Sequence, residues 1–321
     1  MKRIMICALI ALVLLVNLLP LSVVFADQPL KVDRNNPVPA TDVELAQKVT
    51  VFDTPRAGAS AKPAPSKPSK SSAAATGILG TECTGDRYAI VIGISDYPGT
   101  GSDLMYSDND AQDMALTLTS VYGFNPANIV MLVDSEGTEA GGGALVATRS
   151  NILSAIETIA ATATADDEVV FFFSGHGGKG RASDGDNEAT DECIWSHDGS
   201  NFVPIWDGEL KAAFSGYQTS RIVFVFDSCY AGGMTDLAAP GRIIAMASAE
   251  KSLSYEWSSL GNGEFTYYMI EQGMTLGLAE KPDNTPNVLD VTVEEAFDYA
   301  KVNRMRNTPT VSDLFTNDLL P

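Results

Sequence analysis

Two apolar segments that each run directly into a glycine-rich turn constrain the fold of this chain most. Glu168–Phe173 (EVVFFF) and Ile222–Phe226 (IVFVF) are rich in β-branched and aromatic residues, which is typical of strands buried on both faces. His176 follows the first segment and Cys229, 53 positions later, follows the second. Chemistry in parallel α/β sheets gathers at the carboxyl ends of strands. If the two strands are neighbours, the imidazole and the thiol face each other across one cleft.

The remaining pattern is an alternation of strands and helices. Tyr88–Ile94, Ile129–Val133 and Ile243–Ala247 are predicted strands. The predicted helices are 107–122, Thr148–Thr162, Asp207–Phe214, Glu264–Gln272 and one that begins at the capping box of Thr292 and ends near Val302. Alternation at this spacing predicts an α/β domain with a mostly parallel sheet and helices on both faces.

The formal net charge of −20 limits the class of partner, because the acidic residues are concentrated after residue 80. An acidic body disfavours nucleic acid and anionic membranes and favours basic partners or cations. We therefore expect no nucleic-acid partner and no membrane partner once a leader is removed. A monomer is a separate expectation.

The first 80 residues differ in composition from the rest. Residues 1–26 combine Lys2 and Arg3 with an apolar run and a small-residue site before Asp27, which predicts a signal peptide and export (secreted, periplasmic or cell-surface). An uncleaved membrane anchor is the alternative. Residues 27–80, which include the Pro/Ala/Ser/Lys-rich stretch 55–76, are interpreted as a disordered extension: a spacer, or a pro-segment with basic cleavage points. Residues 81–321 form the predicted catalytic domain.

The cysteine count leaves an odd number after removal of the leader: Cys83, Cys193 and Cys229. In an exported protein, the simplest arrangement is a Cys83–Cys193 disulfide with Cys229 as a thiol. Three unpaired cysteines are the alternative.

A thiol beside an imidazole suits acyl transfer, because the imidazole accepts the thiol proton and returns it to a leaving amine. Backbone N–H groups on the glycine-rich turns can face a developing oxyanion. The chain has two histidines, and His197 lies in a polar stretch that we interpret as surface, which leaves His176 as the base. The alternative is a small core cysteine and a histidine that only completes a turn.

The motifs Phe173–Gly178 (FSGHGG) and Asp227–Gly232 (DSCYAG) resemble the catalytic His and Cys motifs of the caspase-like cysteine peptidases, in the metacaspase and orthocaspase branch of family C14. The resemblance covers residue 87 to about 315. It implies a three-layer α/β/α sandwich around a six-stranded, mainly parallel sheet. It also implies a dyad of His176 and Cys229, with an oxyanion hole formed by the backbone N–H groups of Gly177 and Cys229.

The resemblance also implies which residue precedes the cleaved bond. The metacaspase branch has an acidic pocket for Arg or Lys, and the matching positions here are Asp110, Ser174 and Asp227. A pair of carboxylates matches a buried guanidinium or ammonium group. The alternative is that Asp110 braces a helix and Asp227 bonds within its turn.

A cation site is a further expectation. Residues 183–192 (SDGDNEATDE) are dense in carboxylates, which suits calcium. The calcium-binding aspartates of some metacaspases match Asp191, Asp207 and Asp236, whereas Gly208 stands where the family often has another Asp. The alternative is a solvated acidic loop.

These observations together predict an exported cysteine endopeptidase that hydrolyses peptide bonds after Arg or Lys in peptide or protein substrates. Two alternatives remain from the sequence: an inactive caspase-fold binding module, and a legumain-like cysteine peptidase with a different preference.

Overall fold

The computed structural model describes most of the chain from residue 30 onward: residues 30, 32–53, 74–99, 101–133, 144–185, 188–281 and 290–321. The predicted signal peptide, residues 1–26, and most of the low-complexity stretch lie outside the described residues. Within the described residues, no helix is both long enough and apolar enough to span a bilayer.

The strands, in chain order, are β1 (Ala40–Ala46), β2 (Val49–Val51), β3 (Arg87–Gly93), β4 (Ile129–Val133), β5 (Leu145–Val146), β6 (Glu168–Ser174), β7 (Gly177–Ala182), β8 (Asp191–His197), β9 (Phe202–Trp206), β10 (Ile222–Asp227), β11 (Arg242–Met246), β12 (Tyr255–Trp257), β13 (Asn262–Gly263) and β14 (Thr310–Asp313). The helices are α1 (Ser107–Ser120), α2 (Arg149–Thr162), α3 (Asp207–Phe214), α4 (Glu264–Thr266) and α5 (Val293–Asn303). Short 3₁₀ helices span Pro126–Asn128 and Ala231–Leu237, and the π-helical segment Tyr267–Thr275 continues α4.

The central sheet has seven strands in the order β14-β11-β10-β6-β3-β4-β5. All neighbouring pairs are parallel except β11–β14. The predicted strands therefore form one mainly parallel sheet. The sheet has one strand more than the expected six, and the additional strand is the two-residue edge strand β5. The adjacency of β6 and β10, on which the predicted cleft depends, is present: Phe226 pairs with Phe173.

The two faces of this sheet carry separate apolar cores. Phe171 and Phe224 pack on one face with α2 and α3, whereas Phe172 and Val225 pack on the other with α1 and α5. Side chains alternate between the faces of a strand, so an uninterrupted apolar strand supplies both cores. Each fully buried phenylalanine contributes about 1.5–3 kcal/mol of transfer free energy. The result is the expected three-layer α/β/α sandwich.

Two smaller sheets lie beyond the carboxyl ends of the central strands. One has the order β1-β7-β8-β9 and the other β13-β12-β2. Each contains one strand from the N-terminal extension, β1 or β2. The prediction that residues 27–80 are disordered is therefore wrong for Ala40–Val51. The sequence reason is visible afterwards: Val49-Thr50-Val51 is a β-branched run, which favours a strand.

The predicted Cys83–Cys193 disulfide is absent, because all three described cysteines are thiols. The Cys83 thiol lies by the carbonyl groups of Gly85 and Asp166, where β3 and β6 begin. Cys193 is buried in β8 opposite Gly178, past the other end of β6. A disulfide requires Cα atoms within about 7 Å, which opposite ends of a seven-residue strand do not allow.

Candidate active site

The turns after β6 and β10 bring the two predicted site motifs together. Ser174 and Asp227, the last residues of these strands, pair with each other in register, and Gly175 N–H donates to the Asp227 carbonyl at 3.3 Å. His176 and Cys229 follow on the two turns, and both are buried. The thiol and the imidazole therefore lie at one edge of the sheet, as expected if β6 and β10 are neighbours.

Gly177 lies against the backbone of Cys229. A Cβ atom placed on Gly177 would come within 1.9 Å of the Cys229 carbonyl oxygen and 3.2 Å of its nitrogen. Only a residue without a side chain allows this approach. The contact brings together the backbones of the two residues that are expected to bind an oxyanion.

The ring of His176 is held in a defined orientation. Its Nε2 lies 2.6 Å from the carbonyl oxygen of Ser102, and Tyr97 stacks on the ring at a centroid distance of 4.5 Å. A carbonyl oxygen only accepts, so Nε2 carries the proton and Nδ1 has the lone pair. Burial lowers the pKa of His176 to about 4, and the Lys48 charge adds to this effect. The imidazole is therefore neutral near pH 7.

The thiol of Cys229 lies among backbone groups. Its Sγ accepts a hydrogen bond from Ser254 N–H at 3.1 Å and lies 3.4 Å from the carbonyl oxygen of Gln47. Burial raises the pKa of Cys229 to about 12. Among the described residues, no hydrogen bond joins this sulfur to the His176 ring. The thiol is therefore protonated in this arrangement.

Asp110, Ser174 and Asp227, the residues expected to bind a basic substrate side chain, are buried and lie together in what we term the acidic pocket. Ser174 Oγ donates to Asp110 Oδ2 at 2.6 Å, and Gly263 N–H donates to the other oxygen at 2.8 Å. Asp227 is held by Ser254 Oγ at 2.7 Å. These contacts fix both carboxylates in orientation and leave room between them for a cation.

That cation is the side chain of Lys48, a residue that the sequence did not single out. Its ammonium group lies 3.1 Å from Asp227, 3.4 Å from Asp110 and 2.9 Å from Ser174 Oγ, and the lysine and both carboxylate side chains are fully buried. Burial disfavours the charged amine, but the two carboxylates outweigh burial and raise the pKa of Lys48. Burial also raises the pKa of Asp110 to about 7, against the effect of Lys48.

Glu256 is a second residue of the site that the sequence did not reveal. It lies buried on β12 and accepts hydrogen bonds from Met105 N–H at 2.9 Å and from Thr50 Oγ1 at 2.5 Å. It therefore ties the 101–106 loop, which includes the Ser102 carbonyl that orients His176, to β12. Glu256 lies two residues after Ser254. This spacing indicates a role in the site only when β12 is known to line the cleft.

The predicted cation ligands separate into two groups. Asp191 and Asp207 are buried and lie together with Asp184, each with one oxygen within 4.8 Å of the others. Asp236 instead forms an ion pair with Lys211 at 3.1 Å. The expectation that Asp236 belongs to the cluster is therefore wrong, because the Lys211 side chain engages its carboxylate.

Asp184 occupies the space beside Gly208. A Cβ atom on Gly208 would come within 2.6 Å of Asp184 Oδ2, to which Gly208 N–H donates at 3.1 Å. The Asp184 carboxylate thus occupies the space that the side chain of an aspartate at position 208 would fill. Burial, followed by the charge of Asp184, raises the pKa of Asp207 to about 9.

His197 is not the surface residue that the sequence suggested. It ends β8 opposite Phe202, is 5 % exposed and accepts a hydrogen bond from Gly199 N–H at 3.1 Å. The polar residues 198–201 that follow His197 suggested a surface loop, so the sequence did not reveal that His197 ends β8. It lies outside the acidic pocket, so His176 remains the base in our interpretation.

Comparison with known proteins gives a family-level similarity. Residues 87–238 match the family model described as metacaspase, peptidase C14 domain. Metacaspase-1 of Saccharomyces cerevisiae is 34% identical over 160 residues, which cover 49% of this chain and 36% of that protein. Metacaspase-1 of Candida glabrata is 30% identical over 204 residues, covering 57% of this chain and 51% of that protein.

The chain thus spans between about a third and a half of the length of these curated relatives. A crystal structure of a protein from Geobacter sulfurreducens superposes with a TM-score of 0.51 at 20% identity, and the match covers 73% of this chain and 95% of that one. At this identity the structural match supports the fold alone.

Proposed function

This chain carries a caspase-like domain of the C14 cysteine-peptidase family, and on that premise we propose that it hydrolyses peptide bonds after Lys or Arg. The observation that carries the proposal is the fully buried ammonium group of Lys48 between Asp110 and Asp227. A pocket that takes a lysine of its own chain is suited in size and charge to a lysine or arginine of a substrate.

The pocket also disfavours an acidic side chain. Asp110 and Asp227 lie on both sides of the bound amine, and Ser174 adds one more oxygen. An aspartate in the same position would bring a third buried carboxylate with no cation to balance it, which is costly in a low-dielectric site. Arginine and lysine are therefore the proposed residues before the scissile bond.

In the proposed reaction, Nδ1 of His176 takes the proton of the Cys229 thiol, and the sulfur attacks the carbonyl carbon of the substrate. The C–N bond breaks, and Nδ1 returns the proton to the leaving amine. Water then hydrolyses the thioester and restores the thiol. The Ser102 carbonyl keeps the proton on Nε2, so Nδ1 is the nitrogen available for this transfer. The backbone N–H groups of Gly177 and Cys229 are the proposed oxyanion donors.

Fluorogenic peptides that end in Arg, Lys, Asp or Asn test this function on the full chain, with Lys48→Met as a second form of the enzyme. We expect release from the Arg and Lys peptides alone, and none from the Cys229→Ala variant. Release from the Asn peptide would indicate a legumain-like preference. Absence of release from all four peptides in both forms would favour an inactive binding module.

We propose that the acidic cluster of Asp184, Asp191 and Asp207 binds calcium. Asp184, Asp191 and Asp207 place three buried carboxylates close together, and hard oxygen ligands suit this cation. A bound divalent cation would place positive charge beside all three carboxylates. Calorimetric titration with calcium, compared between the native chain and Asp207→Asn, tests the site.

We also propose export through residues 1–26, on the basis of their composition. Mass spectrometry of the mature N-terminus from the producing cells tests it: a chain that begins near Asp27 supports export with cleavage. A chain that retains Met1 contradicts cleavage. We further propose a monomer, which sedimentation tests.

A further inference from the structure

Residues Ala40–Val51, here termed the cleft segment, cross the site from one side to the other. β1 pairs with β7, directly after His176, and β2 pairs with β12, directly after Ser254. Gln47 and Lys48 connect the two strands and cross between the thiol and the imidazole. The segment is therefore bound along its whole length, and Lys48 is its anchor in the acidic pocket.

The chain direction of the cleft segment determines whether the bond after Lys48 can be cleaved. Cleavage after a lysine requires the thiol to attack the carbonyl carbon of that lysine and the imidazole to protonate the amine that follows it. The amine that follows Lys48 is Val49 N–H, which donates to the Ser254 carbonyl at 3.0 Å. It is thus held by Ser254, the residue before β12, rather than by His176.

The peptide group that contacts the dyad lies on the other side of the lysine. Lys48 N–H donates to Nδ1 of His176 at 3.0 Å, and the Gln47 carbonyl oxygen lies 3.4 Å from Sγ of Cys229. Gln47, the residue that bears this carbonyl, has an exposed side chain whose Nε2 donates to Ser102 Oγ at 2.8 Å. The Gln47 side chain therefore does not fill the acidic pocket. The bond beside the dyad is therefore not the bond that a lysine-specific enzyme cleaves.

We propose that the cleft segment is a built-in inhibitor that lies in the substrate cleft in the direction opposite to a substrate and remains uncleaved. The proposal rests on the proposed preference for basic residues, since the same pocket serves both. The Lys48 ammonium group pairs with the two carboxylates of the pocket. The Lys48 backbone N–H donates to the Nδ1 lone pair that His176 needs to act as a base.

Further contacts on both sides of Lys48 hold the segment in place. Tyr230 Oη donates to Glu44 at 2.9 Å on the β7 side, and Thr50 donates to Glu256 at 2.5 Å on the β12 side. Beyond β2, Asp53 accepts from Ser259 Oγ at 2.8 Å. The full chain is thus latent, and its activation requires displacement of residues 40–51 from the cleft.

Burial of the dyad is consistent with this latent state. Cys229 and His176 are each 1 % exposed, and burial both raises the pKa of the thiol to about 12 and lowers that of the imidazole to about 4. Neither group has the charge state of an activated nucleophile pair. Displacement of the segment would return water to both groups and move both pKa values toward their usual range.

The test compares four full-length chains: native, Lys48→Met, Lys48→Arg, and Lys251→Ala as a control at an exposed lysine. Two rates are measured, hydrolysis of a fluorogenic lysine peptide and alkylation of Cys229 by iodoacetamide, mapped by mass spectrometry. We expect both rates to rise by about tenfold or more in Lys48→Met, because loss of one partner of a buried ion pair releases the anchor. Lys251→Ala should remain within about twofold of the native chain. Both rates should be lower in Lys48→Arg than in Lys48→Met, because the guanidinium keeps a positive charge between the two carboxylates.

Intact mass during incubation supplies the second criterion, and melting temperatures confirm that the variants fold. A native chain that stays uncut between Lys48 and Val49 supports the proposal. A fragment that begins at Val49, present in the native chain and absent in Cys229→Ala, would overturn it while leaving lysine cleavage intact. Equal alkylation of the native and Lys48→Met chains would also overturn it. Faster alkylation of Lys48→Met without hydrolysis of any basic peptide would support the inhibitor and contradict the proposed specificity.

Discussion

The ammonium group of Lys48 lies 3.1 Å from the carboxylate of Asp227, and both side chains are fully buried. One partner comes from an N-terminal extension and the other from the end of a central strand. An unpaired charge at either position would be expensive, since removal of one partner of a buried ion pair typically costs about 3–5 kcal/mol. The extension and the domain are thereby coupled at the site that we propose for substrate recognition.

Substitution of Asp227 by asparagine should remove most of the basic preference. In the Lys48→Met chain, Asp227→Asn keeps the shape of the pocket but loses one of its two charges, so turnover of an arginine peptide should fall by about a hundredfold or more. Steady-state kinetics measure the effect. Asp166→Asn, at an exposed carboxylate before β6, is the matched control. Unchanged turnover in Asp227→Asn would remove the residue from the pocket.

A methyl group on Gly177 should disrupt the contact between the two turns. In Gly177→Ala the new Cβ would overlap the Cys229 carbonyl, so the turns must separate, at a cost of about 1–3 kcal/mol in the free energy of unfolding. Gly101→Ala is the control, because its Cβ would meet nothing within 4 Å. Thermal unfolding of both variants compares them, and equal melting temperatures would contradict the tight approach.

The reactivity of Cys229 should depend on pH differently in the closed and opened chains. Alkylation requires the thiolate, and burial raises the pKa of this thiol to about 12. In the native chain the rate should therefore rise throughout the range from pH 6 to 10. In Lys48→Met the rate should level off at about pH 9, near the ordinary thiol pKa. The same plateau in both chains would indicate that the segment does not cover the sulfur.

Calcium should raise the melting temperature of the native chain through the acidic cluster. Binding to the folded state alone contributes about 2.7 kcal/mol at a calcium concentration one hundred times the dissociation constant. Asp207→Asn should abolish the increase, whereas Asp236→Asn should retain it, because Asp236 pairs with Lys211. An increase that Asp236→Asn abolishes instead would reverse our assignment of the ligands.

The sequence predicted the central architecture well because its strongest signals are local. Phe171 and Phe224 lie in uninterrupted apolar runs, and such runs predict buried parallel strands. The capping box of Thr292 and Glu295 forms at the start of α5 as expected. The positions of His176 and Cys229 just past β6 and β10 followed from their places directly after the two apolar runs.

The remainder of the site depends on contacts between distant parts of the chain. β7 begins with Gly177-Gly178, and glycines predict a turn more readily than a strand. Lys48 is 179 residues before Asp227 in the chain, and nothing in its neighbourhood indicates a buried charge. Asp236 was expected among the cation ligands because it matches a calcium-binding aspartate of some metacaspases, and the sequence gives no sign of its ion pair with Lys211.

The most direct measurement is covalent capture of the opened chain. Lys48→Met is incubated with an arginyl or an aspartyl peptide chloromethyl ketone, and the adduct is located by mass spectrometry. We predict one adduct on Cys229 from the arginyl reagent and none from the aspartyl reagent, since the pocket of Asp110 and Asp227 selects the cation and His176 supports the thiolate. Equal labelling by both reagents, or an arginyl adduct on Cys83 or Cys193 instead, would contradict the account.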